Sequence, residues 1–290
     1  MTQTILITGA TGAVGMALAN EFSTLDAQVR LGTRSPDKLN NKLSNNSHAV
    51  YLDLDCDKSI MTALKGVDKV FFITPSLLKS NKNWDEAAMA KRFIDLASAS
   101  GVKHIVRLSA MNAHLFKEST HYKIEGQIKA SGMNWTILRP SFFMQIFDMY
   151  YLPSIKNKCV IDYYDADVKE AFIDARDIAA VATKALMEEG HHAKIYTLTS
   201  DELLNYKDIA KIFSHTLNEK ITYTAQNDND SLKALVHNQW PKESAKSYVG
   251  ILQAVQAGVF SELSEDVSTV LGRKPIGFSR YAQDYKARFI

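Results

Sequence analysis

The 290-residue sequence predicts an α/β protein with a doubly wound parallel sheet and a smaller, mostly helical C-terminal part. Through the first two-thirds of the chain, short runs rich in β-branched residues alternate with longer amphipathic segments, which is the pattern of repeated strand-helix-strand units. A glycine-rich turn, Gly9-Ala-Thr-Gly12-Ala-Val-Gly15, follows the first apolar run and opens the first amphipathic segment. Both features are typical of a sheet whose helices lie on its two faces.

Seven segments have the length and composition of buried strands. They are Ile5–Thr8, Gln28–Thr33, His48–Leu52, Lys69–Ile73, His104–Leu108, Asn134–Arg139 and Lys194–Leu198. The clearest helices, with apolar residues three and four apart, are Val14–Thr24, Ser59–Leu64, Trp84–Ser100, Tyr122–Ser131, Ala175–Glu188 and Asn205–Leu217. Gly101, Gly132 and Gly190 follow three of these helices, where a left-handed residue commonly ends a helix.

The spacing of the three glycines predicts a dinucleotide-binding turn of the Rossmann type. Gly9 permits a sharp turn, Gly12 lets the backbone approach a diphosphate, and Gly15 lets the helix pack closely on the strand. Helix N-termini attract anions, and we expect the phosphates to contact Gly9, Thr11, Gly12, Ala13 and Val14. A glycine-rich turn without a ligand is the alternative.

The end of the second strand favours NADP(H) as the cofactor. Sites specific for NAD place an acidic residue here to bind the ribose hydroxyls. In this chain Thr33 is followed by Arg34, and Lys38 lies one turn further on, so cations stand where the extra phosphate of NADP would lie. Asp53 and Leu54 follow the third strand and are placed to meet the adenine, although Asp53 could equally cap the strand end.

The helix predicted before the sixth strand supplies candidates for the reactive end of the site. Hydride transfer needs a fixed nicotinamide ribose and often a proton donor. Lys123 is the candidate for the ribose, Tyr122 or His121 for the proton, and Ser109 for a hydrogen bond to substrate. A charged helix face and a strand cap are the alternatives. We expect the nicotinamide end to be bordered by Thr74, Pro75, Ser109, Lys123, Pro140, Ser141 and Phe142.

The alternation of strand-like and helix-like segments weakens from about residue 141. The residues after this point are therefore predicted to have a different function from those before it. Residues 1–140 are expected to form the NAD(P)-binding Rossmann domain and residues 141–290 a substrate-binding part, with 166–200 returning to the Rossmann core. The aromatic, methionine-bearing segment Phe142–Phe147 either walls a flat apolar substrate or packs in the core.

Composition narrows the range of partners. A net charge of +2 without any basic stripe disfavours nucleic acid. Apolar runs fall far short of the roughly 20 residues that a membrane span needs, and the N-terminus lacks a secretory signal pattern, so we expect a cytoplasmic protein. The aromatic segment Phe142–Phe147 favours a small apolar molecule as the substrate. Cys56 and Cys159 lie far apart and outside any Cys/His cluster, which predicts no metal site. A homodimer is compatible with the sequence.

Several ordered motifs together carry a family resemblance. They are Gly9-Ala-Thr-Gly12-Ala-Val-Gly15, Leu64-Lys-Gly-Val-Asp68-Lys-Val, Gly132-Met-Asn-Trp-Thr-Ile-Leu-Arg139-Pro140-Ser-Phe-Phe-Met144, Phe172-Ile-Asp174-Ala-Arg-Asp177-Ile-Ala, Tyr196-Thr-Leu-Thr199 and Gly272-Arg-Lys-Pro275. Over nearly its whole length the chain resembles the NmrA-like branch of atypical short-chain dehydrogenases/reductases, which includes triphenylmethane reductase and NADPH-dependent quinone reductases. The resemblance implies an NAD(P)H-dependent oxidoreductase.

One departure from the wider superfamily bears on the chemistry. Ordinary members carry Tyr-x-x-x-Lys, and this sequence contains none. If Lys123 occupies the lysine position, Ser119 stands where the tyrosine would be. Two functions fit the missing acid. One is hydride transfer to an activated acceptor such as a quinone, enone, imine or cationic dye; the other, implied by the resemblance to NmrA, is a non-catalytic NADP-binding redox sensor that acts through a protein partner.

Overall fold

The structure is a computed structural model that describes residues 2–75, 85–162, 167–225, 228–237 and 240–290. Its strands are β1 Gln3–Ile7, β2 Ala27–Thr33, β3 Ser47–Tyr51, β4 Lys69–Phe72, β5 His104–Leu108, β6 Asn134–Pro140, β7 Phe142–Phe143, β8 Cys159–Asp162, β9 Glu170–Ile173, β10 Lys194–Leu198, β11 Leu203–Leu204 and β12 Thr222–Ala225.

The helices within the described ranges alternate with these strands. They are α1 Ala13–Phe22, α2 Asp57–Leu64, α3 Glu86–Ala99, α4 Thr120–Lys129, α5 Ile146–Met149, α6 Leu152–Lys156, α7 Ala175–Met187, α8 Tyr206–Leu217, α9 Asp228–His237, α10 Lys242–Gln256, α11 Asp266–Leu271, α12 Phe278–Asp284 and α13 Lys286–Phe289. Two short 3₁₀ helices, Pro36–Lys42 and Ala113–Leu115, lie in loops. None of the helices that the structure describes is long and apolar enough to span a lipid bilayer.

The central sheet has seven parallel strands in the order β3-β2-β1-β4-β5-β6-β10 within the described residues. All seven strands predicted from the sequence are present, with ends that shift by at most two residues. The α/β, doubly wound prediction is therefore confirmed. Strand order reverses between β1 and β4, so the carboxyl ends of these two strands flank the crevice in which ligands bind in such sheets.

Helices cover both faces of this sheet. On one face α1 packs on α7, and their apolar sides meet in a cluster that includes Leu18, Phe22, Ile178 and Val181. On the other face α2, α3 and α4 enclose a second cluster, in which the rings of Phe72 and Phe93 stack 4.6 Å apart. Trp84, predicted to begin the third helix, lies outside the described residues.

Residues 141–290 contribute a separate aromatic cluster. Phe147, Phe172, Phe213 and Phe278 are fully buried in it, and the ring of Phe147 contacts the other three rings. Met144 is fully buried in the same cluster, so Met144 and Phe147 pack in the core and do not wall a ligand. Within the range 166–200, α7 and β10 lie on the central sheet, whereas β9 joins β7 and β11 in a small sheet.

The predicted glycine stops have the backbone geometry that was expected. Gly101, Gly132 and Gly190 have φ values of 83°, 79° and 88°, and each follows the end of a helix. An L-residue with a side chain rarely adopts this conformation, which favours glycine at these turns. Gly101 directly follows the C-cap of α3, whereas Gly132 and Gly190 lie two residues beyond the C-caps of α4 and α7.

We expect Gly15→Ala to destabilise the fold by about 1–3 kcal/mol. An added Cβ would stand 2.4 Å from the carbonyl oxygen of Gly9 and 2.8 Å from the Cα of Ala10, and these backbone atoms cannot rotate away. Gly126→Ala, in an open position of α4, is the matched control and should gain about 0.5–1 kcal/mol from helix propensity. Urea unfolding of the two variants checks this; equal stabilities would contradict the close approach.

Candidate functional site

The turn between β1 and α1 is held so tightly that side chains are excluded from it. Gly9 has φ 62°, and a Cβ there would stand 2.4 Å from Cγ2 of Ile73. The N–H of Gly12 donates to the carbonyl oxygen of Gly9 at 3.0 Å, which closes the turn. The turn therefore leads directly into the first residue of α1.

The amino end of α1 is open to an anion. Its N-cap is Gly12, which has no side chain to cap the helix, and the first turn contains no acidic residue. Thr11 and Ala13 are exposed, and no partner is found for the N–H of Ala13 or Val14 among the described residues. The predicted donors to a diphosphate are thus available, except that the N–H of Gly12 is already used within the turn.

The end of β2 presents two unpaired cations. Arg34 and Lys38 are exposed, and neither has an acidic partner in the described part of the chain. Thr33 is buried, and its Oγ1 accepts the N–H of Ser35 at 3.1 Å. These contacts leave both cations free to bind a phosphate on the adenosine ribose.

The two residues predicted to meet the adenine are engaged within the protein. A carboxylate oxygen of Asp53 accepts the N–H of Asp55 at 3.1 Å, so this side chain caps the turn after β3. Leu54 is buried in the core, and its carbonyl oxygen accepts a hydrogen bond from Arg92 at 2.7 Å.

Two hydroxyls at the carboxyl ends of β4 and β5 donate to carboxylates. Thr74 donates to Glu86 at 2.5 Å and accepts from the fully buried Arg107 at 3.0 Å. Ser109 donates to Glu125 at 2.7 Å. A hydroxyl has a single hydrogen, so in this arrangement Thr74 and Ser109 present lone pairs, as acceptors, to any further partner. The hydrogen bond from Ser109 to a substrate stays a prediction.

Glu125 stays ionised because Arg139 pairs with it. Nε and Nη2 of Arg139 donate to its two oxygens at 3.0 and 2.6 Å, and both side chains are buried. Burial alone would raise the pKa of Glu125, but hydrogen bonds from Arg139 and Ser109 outweigh it and hold the pKa below the usual value. Nη1 of Arg139 also lies 3.0 Å from Nδ1 of His114, which ties the loop before α4 to this pair.

The start of α4 places the remaining candidates beside this network. Ser119, at the position of the missing tyrosine, is the N-cap and accepts the N–H of Tyr122 at 3.2 Å. Tyr122 and Lys123 are exposed, and the Lys123 ammonium lies 3.0 Å from the carboxylate of the exposed Glu118. His121 is neutral at pH 7, because burial and the nearby charge of Arg107 lower its pKa to about 4.

The carboxyl end of β6 completes the predicted border. The carbonyl oxygen of Pro140 accepts the N–H of Met111 at 2.8 Å, and the N–H of Ser141 donates to Leu198 at 3.0 Å. The hydroxyl of Ser141 is buried without a partner among the described residues. The ring of Phe142 is half-buried. Pro75 is half-buried at the end of β4, directly before residues outside the described ranges.

Sequence reasoning missed the buried charges of this site. Arg107 and Glu125 were not among the predicted residues, yet they orient both hydroxyls. A signal existed for Arg107, because an arginine within the apolar strand His104-Ile-Val-Arg-Leu108 must find buried partners. No comparable signal marks Glu125, which lies on a helix with several polar residues.

Comparison with known proteins gives the family. The model of the NmrA-like family matches residues 1–276. The chain belongs to the NmrA-like family. The predicted resemblance is therefore confirmed over almost the entire chain.

Three NmrA-like relatives and neighbours are similar along their whole length. The NAD(P)H azoreductase of Xenophilus azovorans is 27% identical over 289 residues, which cover 98% of this chain and 99% of the azoreductase. The structure of an NADPH-dependent quinone oxidoreductase from Escherichia coli, complexed with NADPH, superposes with a TM-score of 0.82 at 23% identity and covers 97% and 99% of the two chains. Triphenylmethane reductase from Citrobacter superposes with a TM-score of 0.81 at 22% identity, covering 98% and 99%.

Glu125→Gln should destabilise this NmrA-like chain by about 3 kcal/mol at pH 7, since it leaves the buried Arg139 without its counter-charge. A carboxylate with a lowered pKa stabilises the fold above its unfolded pKa and loses that contribution as the pH falls through the folded pKa. The difference between wild type and variant should therefore shrink below about pH 4.5.

Urea unfolding at pH 7, 5 and 3.5 measures the effect of Glu125→Gln. Glu243→Gln removes an exposed carboxylate that pairs with Lys246 in α10, and it should leave the stability close to that of the wild type, because exposed ion pairs contribute little. A Glu125→Gln variant as stable as this control would show that the buried pair contributes nothing.

Proposed function

We propose that this protein is an NADPH-dependent reductase that transfers a hydride to a small, apolar, conjugated acceptor such as a quinone, enone, imine or cationic dye. In this proposal residues 1–140 bind the cofactor, and residues 141–290 complete the acceptor site, with 166–200 contributing to the nucleotide-binding core. The observation that carries the proposal is the open amino end of α1 behind a glycine turn, with two exposed cations one strand away that have no acidic partner among the described residues.

The residues present fit the cofactor at both of its charged ends. A Cβ at Gly9 or Gly15 would clash with neighbouring atoms, so the turn carries no side chain at these two positions. The backbone N–H groups at the start of α1 would then bind the diphosphate. Arg34 and Lys38 would hold the ribose phosphate, since guanidinium and ammonium groups bind phosphate strongly. Lys123 would hold the nicotinamide ribose, and for this it must exchange its contact with Glu118 for ribose hydroxyls.

NADPH supplies the hydride, and the residues around it decide which acceptors can react. Thr74 and Ser109 have committed their hydrogens to carboxylates, and His121 is neutral. Among the predicted catalytic residues, exposed groups able to give a proton remain on Tyr122 and on Lys123, whose ammonium pairs with Glu118 and is assigned to the ribose. Tyr122 is therefore the proposed acid. Acceptors that take a hydride before any proton suit this arrangement better than an unactivated ketone, which needs an acid beside its oxygen.

The relatives support this class of reaction. The azoreductase is named for NAD(P)H-dependent reduction of a conjugated bond, and it is similar along the whole chain. The quinone oxidoreductase and the dye reductase share the fold. A non-catalytic NADP sensor is the alternative, and it predicts cofactor binding with no turnover for any acceptor.

Arg34→Gln combined with Lys38→Gln should raise the Kd for NADPH at least tenfold and leave the Kd for NADH nearly unchanged. The reason is that each lost charged hydrogen bond to the ribose phosphate weakens binding by about 1.5–3 kcal/mol, and NADH has no such phosphate. Fluorescence titration of the reduced cofactors measures both constants. Lys220→Gln, at an exposed position far along the chain, is the control; an equal loss for both cofactors would remove the phosphate-binding role.

Tyr122→Phe should lower kcat for quinones and enones by about tenfold or more and leave kcat for cationic triphenylmethane dyes unchanged. Quinones and enones must gain a proton after the hydride, whereas a cationic dye becomes neutral by hydride addition alone. NADPH oxidation followed at 340 nm with each acceptor separates the two classes. If both classes fall together, Tyr122 positions the cofactor and is not an acid; if no acceptor is reduced at all, the sensor function is favoured.

A further inference from the structure

A short segment of the C-terminal third, Gly258–Ser261, lies against the nucleotide-binding core. It lies between α10 and α11, and hydrogen bonds join it to parts of the chain distant in sequence. The amide Nδ2 of Asn112 donates to the carbonyl oxygen of Val259 at 2.6 Å, the N–H of Ala171 donates to Phe260 at 3.0 Å, and the hydroxyl of Ser261 donates to Lys169. The segment is therefore fixed relative to both β9 and the loop after β5.

Asn112 is built for this contact. It is buried, and its backbone is left-handed, with φ 58° and ψ 17°. Asparagine tolerates this conformation better than most residues, and the conformation turns the chain just after Ser109 and Met111. The hydrogen bond to Val259 joins positions 147 residues apart in sequence. It is the direct link between the carboxyl end of β5 and the C-terminal segment.

Phe260 is brought by these bonds onto Phe142. The two ring centroids lie 5.1 Å apart at 66°, an edge-to-face arrangement that is favourable for aromatic pairs. Phe142 follows Pro140 and Ser141, the residues predicted to border the nicotinamide. The pair thus stands at the carboxyl end of β6, beside the end of β5.

These two rings differ from the four phenylalanines at the centre of the aromatic cluster. Phe147, Phe172, Phe213 and Phe278 are fully buried, whereas Phe142 and Phe260 pack on that cluster and keep part of their surface exposed. Core packing accounts for the first group. Core packing does not explain why the segment Gly258–Ser261 places the partly exposed ring of Phe260 at the border of the predicted site.

We propose that Phe142 and Phe260 form the wall against which a flat conjugated acceptor stacks, and that Asn112 is a positioning residue which holds Phe260 in place. The proposal rests on the proposed function for the location of the nicotinamide. It narrows the substrate class to ring-fused aromatic acceptors, because a small non-aromatic enone gains little from an aromatic wall.

The test compares menadione, a fused-ring quinone, with cyclohexenone, a small non-aromatic enone. Phe260→Ala should raise the KM for menadione about tenfold, change the KM for cyclohexenone less than threefold, and leave the Kd for NADPH unchanged. Isothermal titration of menadione into protein saturated with NADP⁺ gives the same comparison without turnover, and there too the Kd should rise about tenfold. Leu263→Ala, two residues beyond the segment and exposed, is the matched control and should behave as wild type.

Asn112 is tested with two variants that separate its backbone from its side chain. Asn112→Gly and Asn112→Asp both lose the amide donor, while glycine adopts the left-handed conformation without strain. Both should raise the KM and the Kd for menadione several-fold and leave NADPH binding intact. Wild-type behaviour of both variants would overturn the positioning role of Asn112.

The outcomes distinguish the wall from the reductase function. Normal NADPH oxidation with no effect of Phe260→Ala on menadione overturns the wall and leaves the reductase function standing. Menadione binding that depends on Phe260, without oxidation of NADPH by any acceptor, overturns the reductase function and leaves the wall standing. Absence of menadione binding to the wild-type complex overturns the wall as well.

Discussion

The close approach of the α1 backbone to the end of β1 is the constraint on which the nucleotide-binding half depends. Gly15 lies against the carbonyl of Gly9, and Gly9 lies against the side chain of Ile73, just after β4. The Thr8 hydroxyl donates to the carbonyl of Ile73 and accepts its N–H, each at 2.8 Å, so the chain segments that follow β1 and β4 are joined at the point where strand order reverses. These contacts are made within the protein, so the amino end of α1 is held in place without a ligand, which keeps the conformational entropy cost of binding small.

The carboxyl ends of β4 and β5 carry a second constraint, which is electrostatic. Arg107 and Arg139 are buried cations, and Glu86 and Glu125 lie close enough to balance them. Burial lowers the pKa of Arg107 to about 10, and both carboxylates oppose that shift, so the guanidinium stays charged at pH 7. The hydroxyls of Thr74 and Ser109 take their orientation from these carboxylates. The orientation of the hydroxyls at this edge of the sheet therefore follows from buried charges.

Much of this architecture could be predicted from the sequence. Local features could be predicted, whereas contacts between residues distant in sequence could not. The strands His104–Leu108 and Lys194–Leu198 match their predicted ends, because apolar periodicity and glycine stops are local properties. Asn112 and Val259 are 147 residues apart, and nothing local in either segment indicates that they meet. The direction of the Ser109 hydroxyl could not be predicted either, since Ser109 follows β5 and its partner Glu125 lies on α4.

The proposed sites for the cofactor and for the acceptor differ in which groups form them. The proposed diphosphate site is made of backbone from the turn after β1 and from the start of α1, where a side chain at position 9 or 15 would clash with neighbouring atoms. The proposed acceptor wall is made of side chains, and one of them, Phe260, reaches the core through a loop with a few hydrogen bonds. Substitutions in residues 258–261 therefore alter the shape presented to an acceptor at little cost to nucleotide binding. Under these proposals, the range of acceptors can change while the nucleotide-binding turn stays the same.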